Sequence, residues 1–168
     1  KACAIADQGF AYILEQIKPG MTEIQVANQL DFYMRSLGAT SVSFDTIVAS
    51  GVRSAMPHGV ASTKVIEKGD LITLDFGCYY EGYVSDMTRT FALGDPGEKL
   101  KEIHQVVLEA QLMVNAVAKA GMSGVELDAV ARDYIASHGY GEAFGHSTGH
   151  GIGLEIHEGP NVSFKSPK

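Results

Sequence analysis

Two aspartates in residues 71–91, LITLDFGCYYEGYVSDMTRTF, have types and a spacing that could support chemistry. Asp75 and Asp86 each lie in an apolar, β-rich run, and a turn signal separates the runs, so the stretch predicts a β-hairpin. If Tyr80 and Glu81 are the loop pair, the aspartates lie directly opposite each other, whereas a turn one residue later makes them diagonal neighbours. At either spacing two like charges are destabilising unless something positive lies between them.

Three interpretations of this aspartate pair are open. In the first, the register differs and both side chains are solvated. In the second, the two carboxyl groups share a proton as an acid–base dyad. In the third, they bind a cation, and more specifically two, because bridging carboxylates suit paired metals. The apolar run around Asp75 and the lack of any Lys or Arg between residues 69 and 88 disfavour the first, because a buried carboxylate must be paired, protonated or coordinated.

Histidines cluster in the glycine-rich residues 144–160, FGHSTGHGIGLEIHEGP. The glycines disfavour a helix and predict an irregular strand that a substrate could approach closely. His146, His150 and His157 fall within twelve residues, which favours a site over isolated structural histidines, while His58 in the loop MPHG is a weaker candidate. Aspartates with one or more histidines form a mixed oxygen and nitrogen ligand set that suits Mn²⁺, Co²⁺, Fe²⁺ or Zn²⁺ rather than a thiolate zinc site.

The surrounding sequence predicts the elements that must position these residues. Thr22 to Gln25 is a capping-box pattern that opens a helix, and Gly38 is the expected stop of that helix. The predicted helices cover residues 1–17, 22 to about 37, about 98–120 and about 124–138. The predicted strands are 43–50 and the two arms of the hairpin within 70–92.

An internal repeat organises the chain. KPGMTEIQV at 18–26 matches KAGMSGVEL at 119–127, and each copy follows a predicted helix and opens another. The match predicts a duplicated fold, with a first repeat over about 1–97 and the start of a second over about 98–168. A duplicated fold should contain a second hairpin, and we expect it to begin about where the chain stops.

Composition argues against several classes of partner. The formal net charge of −7, without a basic stripe or a polybasic segment, argues against nucleic acid and membrane surfaces. No apolar run approaches the roughly 20 residues that span a bilayer. Cys3 and Cys78 do not make a disulfide framework, so a reducing cytoplasm is the expected location. The N-terminus has neither a signal-peptide core nor an initiator Met, so we expect a processed or truncated chain.

The order of LDFG, SDMTRTF and GHGIGLEIHE resembles the pita-bread metallopeptidases, which include methionine aminopeptidase, aminopeptidase P and prolidase. The resemblance covers essentially the whole chain, and GCYYEGYVSDMTRTF with HSTGHGIGLEIHE is more similar to the Xaa-Pro peptidase branch. It implies a pita-bread, creatinase/methionine aminopeptidase-like α+β fold with a pseudo-twofold repeat, truncated before the second hairpin. Residues 1–168 would then be a partial catalytic domain, without the N-terminal domain usual in this branch.

The resemblance also implies roles for the candidate residues. The implied metal ligands are Asp75 on one metal, Asp86 bridging both and His150 on one metal. The histidines implied to line the substrate side, where they would hydrogen-bond the scissile carbonyl and the tetrahedral intermediate, are His58, His146 and His157. The implied cofactors are two divalent metal ions, Mn²⁺ in first place and Co²⁺ or Zn²⁺ as alternatives.

The reaction implied by the resemblance is hydrolysis of the peptide bond between an N-terminal residue and a following proline, with a homodimer as the common assembly. The family carries two further metal-binding glutamates after the histidine motif, so we expect the 168-residue chain alone to bind metal weakly and to turn over poorly. Two alternatives stay open: a methionine aminopeptidase-like enzyme, and a non-catalytic peptide-binding module with the same fold.

Overall fold

The computed structural model describes residues 1–166. These residues form two compact units. The first unit comprises Lys1–Gly97 with Ile152–Ile156, and the second comprises Glu98–Gly151 with the segment that begins at His157. Among the described residues, no helix is both long and apolar enough to cross a bilayer.

Two helices of the first unit, α1 (Ala2–Gln16) and α2 (Glu23–Ser36), confirm the helix predictions. The predicted capping box opens α2, because the Thr22 hydroxyl accepts a hydrogen bond from the Gln25 N–H while the Gln25 side chain accepts one from the Thr22 N–H. Gly38 follows the helix with φ of 104°, as a helix-terminating glycine does.

Six strands complete the regular structure of the first unit: β1 (Ser41–Val42), β2 (Ile47–Ser50), β3 (Leu71–Phe76), β4 (Cys78–Tyr80), β5 (Tyr83–Val84) and β6 (Met87–Ala92). They form two antiparallel sheets, in the orders β1-β4-β5 and β2-β3-β6. The single strand predicted over 43–50 is therefore wrong in its first part. The backbone there passes from one sheet to the other, so only Ile47–Ser50 pairs with β3.

The hairpin turns at Glu81 and Gly82, one residue later than the loop pair Tyr80–Glu81. Both turn residues have positive φ, 50° and 84°, which is typical of the two-residue turn that matches the twist of antiparallel strands. The hairpin also bends at Gly77, where a Cβ would overlap the carbonyl oxygen of Ser85. This close approach splits one long hairpin into the parts that belong to the two sheets.

The core of the first unit lies between the helix pair and the strands. Its fully buried side chains come from α1, α2 and the strands β2, β3 and β4, and include Ile13, Val26, Leu30, Met34, Val48, Ile72, Leu74, Phe76 and Cys78. Alternate residues of β3 are buried, which is the pattern of a strand with one face on a core. The sheet that carries Asp75 is thus rigidly backed by packed apolar side chains.

The second unit contains α3 (Glu98–Val117), α4 (Gly124–Ser137) and the antiparallel pair β7 (Gly149–Gly151) and β8 (Glu158–Val162). The capping box of α4 is formed by Ser123 and Glu126, in the copy of the repeat that corresponds to the start of α2. The two nine-residue repeat segments therefore have the same local structure. The irregular strand predicted in the histidine segment is confirmed for Gly149–Gly151.

Candidate metal centre and peptide site

Asp75 lies in the middle of the β2-β3-β6 sheet. Its backbone is opposite Ile47 on one side and Thr88 on the other. Asp86 immediately precedes β6, two residues before Thr88, so the two aspartates are diagonal neighbours. The expectation of a later turn is confirmed, and the directly opposed arrangement is wrong because the turn lies at Glu81 and Gly82.

The electrostatics of the pair favour a bound proton or cation. Burial is the largest cause that raises the pKa of Asp75, to about 6. The hydrogen bond that the Thr88 hydroxyl donates to Asp75 at 2.8 Å lowers this pKa, whereas the charge of Asp86 and the hydrogen bond between the two carboxyl groups raise it further. The nearby charge of His58 lowers the pKa of Asp75 by a smaller amount. The burial of Asp75 and its hydrogen bond with Asp86 argue against the interpretation of two independently solvated aspartates.

The backbone that leads into Asp86 is held by three short-range contacts at the bend of the hairpin. The Ser43 hydroxyl donates to the carbonyl oxygen of Ser85 at 2.8 Å, and the Cys78 N–H donates to the Ser85 hydroxyl at 3.0 Å. Gly77 provides the space for this approach. Sequence reasoning overlooked Gly77; its only signal was a glycine directly after the Asp-Phe of β3, where a bend was not anticipated.

His58 lies on an exposed loop that returns to the same sheet. The Val60 N–H donates to the carbonyl oxygen of His58 at 2.9 Å, and Val60 forms a β-bridge with Ile47, the residue opposite Asp75. The β-bridge of Val60 with Ile47 thus brings the loop of His58 to the sheet that carries Asp75, and the charge of His58 has a small effect on the pKa of Asp75.

Glu23, which sequence reasoning saw only as part of a helix cap, holds the loop that carries His58. Its fully buried carboxylate accepts hydrogen bonds from the N–H and hydroxyl of Ser50, from the N–H and hydroxyl of Ser62, and from Arg53 Nε at 3.0 Å. Arg53 also donates to the carbonyl oxygen of Val60 at 2.8 Å. Burial alone would raise the pKa of Glu23, but these hydrogen bonds hold it below its usual value.

The other three candidate histidines belong to the second unit. His146 Nδ1 lies 2.8 Å from the carbonyl oxygen of Ser147, and His150 Nδ1 lies 2.9 Å from that of Gly151. Each Nδ1 must carry a proton to make such a bond, so in a neutral ring the lone pair is on Nε2. The rings of His150 and His157 have centroids 4.4 Å apart. His150 thus has the tautomer of an Nε2 metal ligand, with the backbone orienting its ring.

The six candidate residues divide equally between the units: His58, Asp75 and Asp86 in the first, and His146, His150 and His157 in the second. Within residues 1–166, no group of three or more His, Cys, Asp or Glu side chains is arranged to hold a metal ion. The aspartate pair nevertheless fits a cation chemically, because it concentrates two carboxylates on a half-buried face. Coordination by His150 together with the aspartates stays a prediction.

Comparison with known proteins decides the family, because the sequence profile of metallopeptidase family M24 matches residues 1–168. The chain belongs to the M24 metallopeptidases. It is 61% identical over 166 residues to the Bacillus subtilis protein named "Uncharacterized peptidase YqhT", covering 99% of this chain and 47% of the relative.

Solved structures of M24 relatives have the same fold. A structure named as the Xaa-Pro dipeptidase from Bacillus anthracis superposes with a TM-score of 0.97 at 64% identity, covering 98% of this chain and 46% of that one. One named as the X-Pro aminopeptidase from Thermotoga maritima gives a TM-score of 0.95 at 54% identity, covering 98% and 47%. The predicted pita-bread α+β fold and the resemblance to the Xaa-Pro branch are confirmed. The chain spans about half the length of the relatives it matches.

Proposed function

We propose that the protein is a metal-dependent Xaa-Pro peptidase, an aminopeptidase or dipeptidase that hydrolyses the bond between an N-terminal residue and a following proline. The aspartate pair is the observation that carries this proposal: Asp75 and Asp86 are diagonal neighbours on a half-buried sheet face, in an M24 chain 64% identical to a structure named as an Xaa-Pro dipeptidase. The names of the relatives support the choice of proline at the second position of the peptide.

The residues proposed to hold the metal are Asp75, Asp86 and His150. They fit divalent ions of the Mn²⁺, Co²⁺ and Zn²⁺ type because carboxylate oxygens and an imidazole nitrogen are the ligands these ions accept. We propose two ions, with Mn²⁺ first. When bound, the ions supply Lewis-acid activation of water and of the scissile carbonyl. Three side chains do not fill two coordination shells, so a dinuclear centre takes further ligands in addition to these.

The histidines are proposed to bind the peptide. His58 places an exposed imidazole beside the aspartates of the first unit, where it can reach a carbonyl group drawn to that face. In the second unit His146 and His157 are exposed as well. Because the Nδ1 proton of His146 is directed at Ser147, His146 donates a hydrogen bond from Nε2 only as the imidazolium.

The proposal extends to three properties of the whole protein. The family resemblance supports a homodimer. The internal repeat supports a catalytic domain with a first repeat over about 1–97 and a second that begins at about 98. A cytoplasmic location is supported by two cysteines that are both free thiols in the structure. Size-exclusion chromatography with light scattering tests the dimer directly.

The experiment that tests the function compares three peptides, each with and without Mn²⁺: an Xaa-Pro dipeptide, an Xaa-Pro tripeptide and a Met-Ala peptide. We expect Mn²⁺-dependent cleavage of the Xaa-Pro bond in at least one of the first two, at a low rate when residues 1–168 are assayed alone because Asp75, Asp86 and His150 do not fill two coordination shells. The substitution Asp86→Asn should lower Mn²⁺ affinity by about 100-fold or more, because it removes a charged ligand. The exposed Asp45→Asn is the matched control and should behave as the wild type.

Two results would contradict this function. Preferred cleavage of the Met-Ala peptide would support the methionine aminopeptidase-like alternative. Calorimetry that detects peptide binding, with neither Mn²⁺ binding nor hydrolysis, would support the peptide-binding module.

A further inference from the structure

A second buried carboxylate, outside the six candidate residues, lies on α4. Asp128 is fully buried and accepts hydrogen bonds from both the N–H and the hydroxyl of Thr148, at 3.2 and 2.8 Å. The guanidinium of Arg132, one helical turn further along α4, donates to both carboxylate oxygens of Asp128, at 2.6 and 3.0 Å. The pair therefore links α4 directly to the start of the histidine-bearing strand β7.

Arg132 uses its remaining donors on the backbone of the same segment. Nη1 donates to the carbonyl oxygen of Phe144 at 2.7 Å, and Nη2 donates to that of His146 at 2.9 Å. The guanidinium carbon also lies 4.3 Å from the ring centroid of Phe144 and 4.5 Å from that of Phe164. A planar fork can make all these contacts at once, which the single ammonium group of a lysine cannot.

These contacts determine where the histidines lie. Residues 144, 146 and 148 are each bonded to the one ion pair, and the ring of His146 rests edge-on against Phe144 with centroids 4.8 Å apart. Directly after Thr148 comes β7, in which His150 pairs with Asn161. Two helix residues thus control the backbone on both sides of His146 and the point from which His150 projects.

We propose that Asp128 and Arg132 are positioning residues that orient His146 and His150 for their roles in peptide and metal binding. The inference rests on the function proposed above for those two histidines. Asp128 is buried while the Arg132 side chain is 22% exposed, and an ion pair of this kind adds little net stability compared with apolar residues of the same volume, so we assign its value to the backbone groups that it orients. Residues 144–148 have little regular structure of their own, so hydrogen bonds from Asp128 and Arg132 have a large influence on their conformation.

The first test is spectroscopic and needs no activity. Arg132→Lys keeps the charge but loses the fork, so we expect the imidazole ¹⁵N and ¹³C signals of His146 and His150 to shift or broaden. Those of His104, on α3, and of His138, directly after α4, should not change. The control is Ile13→Val, a fully buried α1 residue whose shortening lowers stability in the core of the first unit, away from the cluster that packs against Phe144. The six histidines of the chain are few enough to assign by single substitutions.

The second test uses Xaa-Pro hydrolysis at a temperature well below the melting temperature. Arg132→Lys should lower kcat/KM by about tenfold or more, since misplacement of a binding group by 1 Å can reduce rates by about 100-fold. In a His146→Ala background the same substitution should lower kcat/KM by only about twofold, because residues that act as a unit are not additive. Ile13→Val should leave kcat/KM unchanged.

Unshifted signals of His146 and His150 in Arg132→Lys, with a loss of stability like that of Ile13→Val, would overturn the positioning role. Additive losses in the double variant would overturn it as well. If the wild type cleaves no Xaa-Pro peptide, the proposed function fails, and the spectroscopic arm still decides whether the pair orients the two histidines.

Discussion

The two units share a pair of helices of similar pattern, but they differ in how many apolar side chains they bury. Each unit contains a pair of helices, and in each a buried acidic side chain of the second helix, Glu23 or Asp128, accepts hydrogen bonds from a segment that carries candidate histidines. In the first unit the helices pack on strands and bury a large core. The buried core residues of the second unit are Val106, Ala110, Ala131 and Ile135, beside a cavity of about 540 Å³ with an apolar lining.

This difference shows that an amphipathic helix pattern does not by itself produce a closed core. Exposed apolar side chains on α3 include Val107, Leu108, Leu112 and Met113, although α3 has the same amphipathic character as α1. A helix pair alone cannot enclose such side chains; in the first unit strands distant in sequence do so. Local sequence therefore makes both helix pairs, and long-range strand packing decides which one becomes a closed core.

The two carboxylates show the same lesson at the level of single residues. In the alignment of the internal repeat, Glu23 corresponds to Gly124, so the second unit has no acidic group at that position. The acid of the second unit, Asp128, lies four residues further along its helix. Buried carboxylates that accept hydrogen bonds from a histidine-bearing segment thus lie at different positions of the two repeat copies. The repeat by itself does not reveal them.

The largest effect expected in a test of this comparison is from Gly77→Ala. A Cβ there would overlap the Ser85 carbonyl, so the bend that joins the two sheets of the first unit must open, at a cost of about 3 kcal/mol or more of unfolding free energy. The control is Gly145→Ala in the second unit, where an added Cβ meets open space. Urea denaturation measures both; equal stability of the two variants would show that the bend is not a tight constraint.

Glu23→Gln should have the next largest effect. Arg53 would lose its buried ionic partner, and we expect a loss of about 2–3 kcal/mol of unfolding free energy. Hydrogen exchange of the Ser62 amide should accelerate with it, because that N–H donates to the lost carboxylate. Hydrogen exchange around Thr148, in the other unit, should not change. If exchange accelerates equally in both regions, the contacts of Glu23 and those of Asp128 are not independent.

Asp75 predicts a smaller effect that depends on pH. Its pKa in the folded chain, about 6, lies above the ordinary 3.8, so the folded state holds the proton more tightly than the unfolded state. Without metal, the stability it contributes is complete below pH 4 and is lost as pH rises from 4 to 6; the shift in pKa corresponds to about 3 kcal/mol, which solvent screening of the half-buried group reduces to about 2 kcal/mol. Asp75→Asn should remove this decrease.

The measurement for Asp75 is the difference in melting temperature between Asp75→Asn and the wild type from pH 4 to 8, without metal. Asp45→Asn should follow the wild type, since Asp45 is exposed. Added Mn²⁺ should raise the melting temperature of the wild type more than that of Asp75→Asn. Parallel curves for Asp75→Asn and the wild type would mean that the aspartate pair is not under electrostatic strain.

The smallest effect comes from a pair of identical substitutions, one in each core. Ile13→Val removes a methylene from a fully enclosed site in α1, and we expect a loss of about 1 kcal/mol of unfolding free energy. Ile135→Val should cost about half as much, because Ile135 lines the cavity of the second unit and has fewer packing partners to lose. Local unfolding free energies from hydrogen exchange test this, and an equal or reversed order would contradict the comparison of the cores.

Prediction from sequence succeeded where interactions are local. The capping box of α2 follows from residues three positions apart, so the pattern at Thr22 and Gln25 was sufficient to predict where that helix begins. It was less successful for the strands, where the break between β1 and β2 follows from pairing with two different sheets. It missed Glu23 and Asp128, because their partners lie up to 39 and 20 residues away along the chain.

What the sequence determined by itself is the family and the identity of the candidate residues, because motifs such as LDFG and GHGIGLEIHE are runs of residue types that survive without coordinates. Only the tertiary structure decided that Asp75 faces Thr88 and has Asp86 as a diagonal neighbour, and that His58 returns beside them. Strand register depends on the conformation of a single turn and on the packing of a face, and neither can be read from the spacing of the residues that the turn brings together.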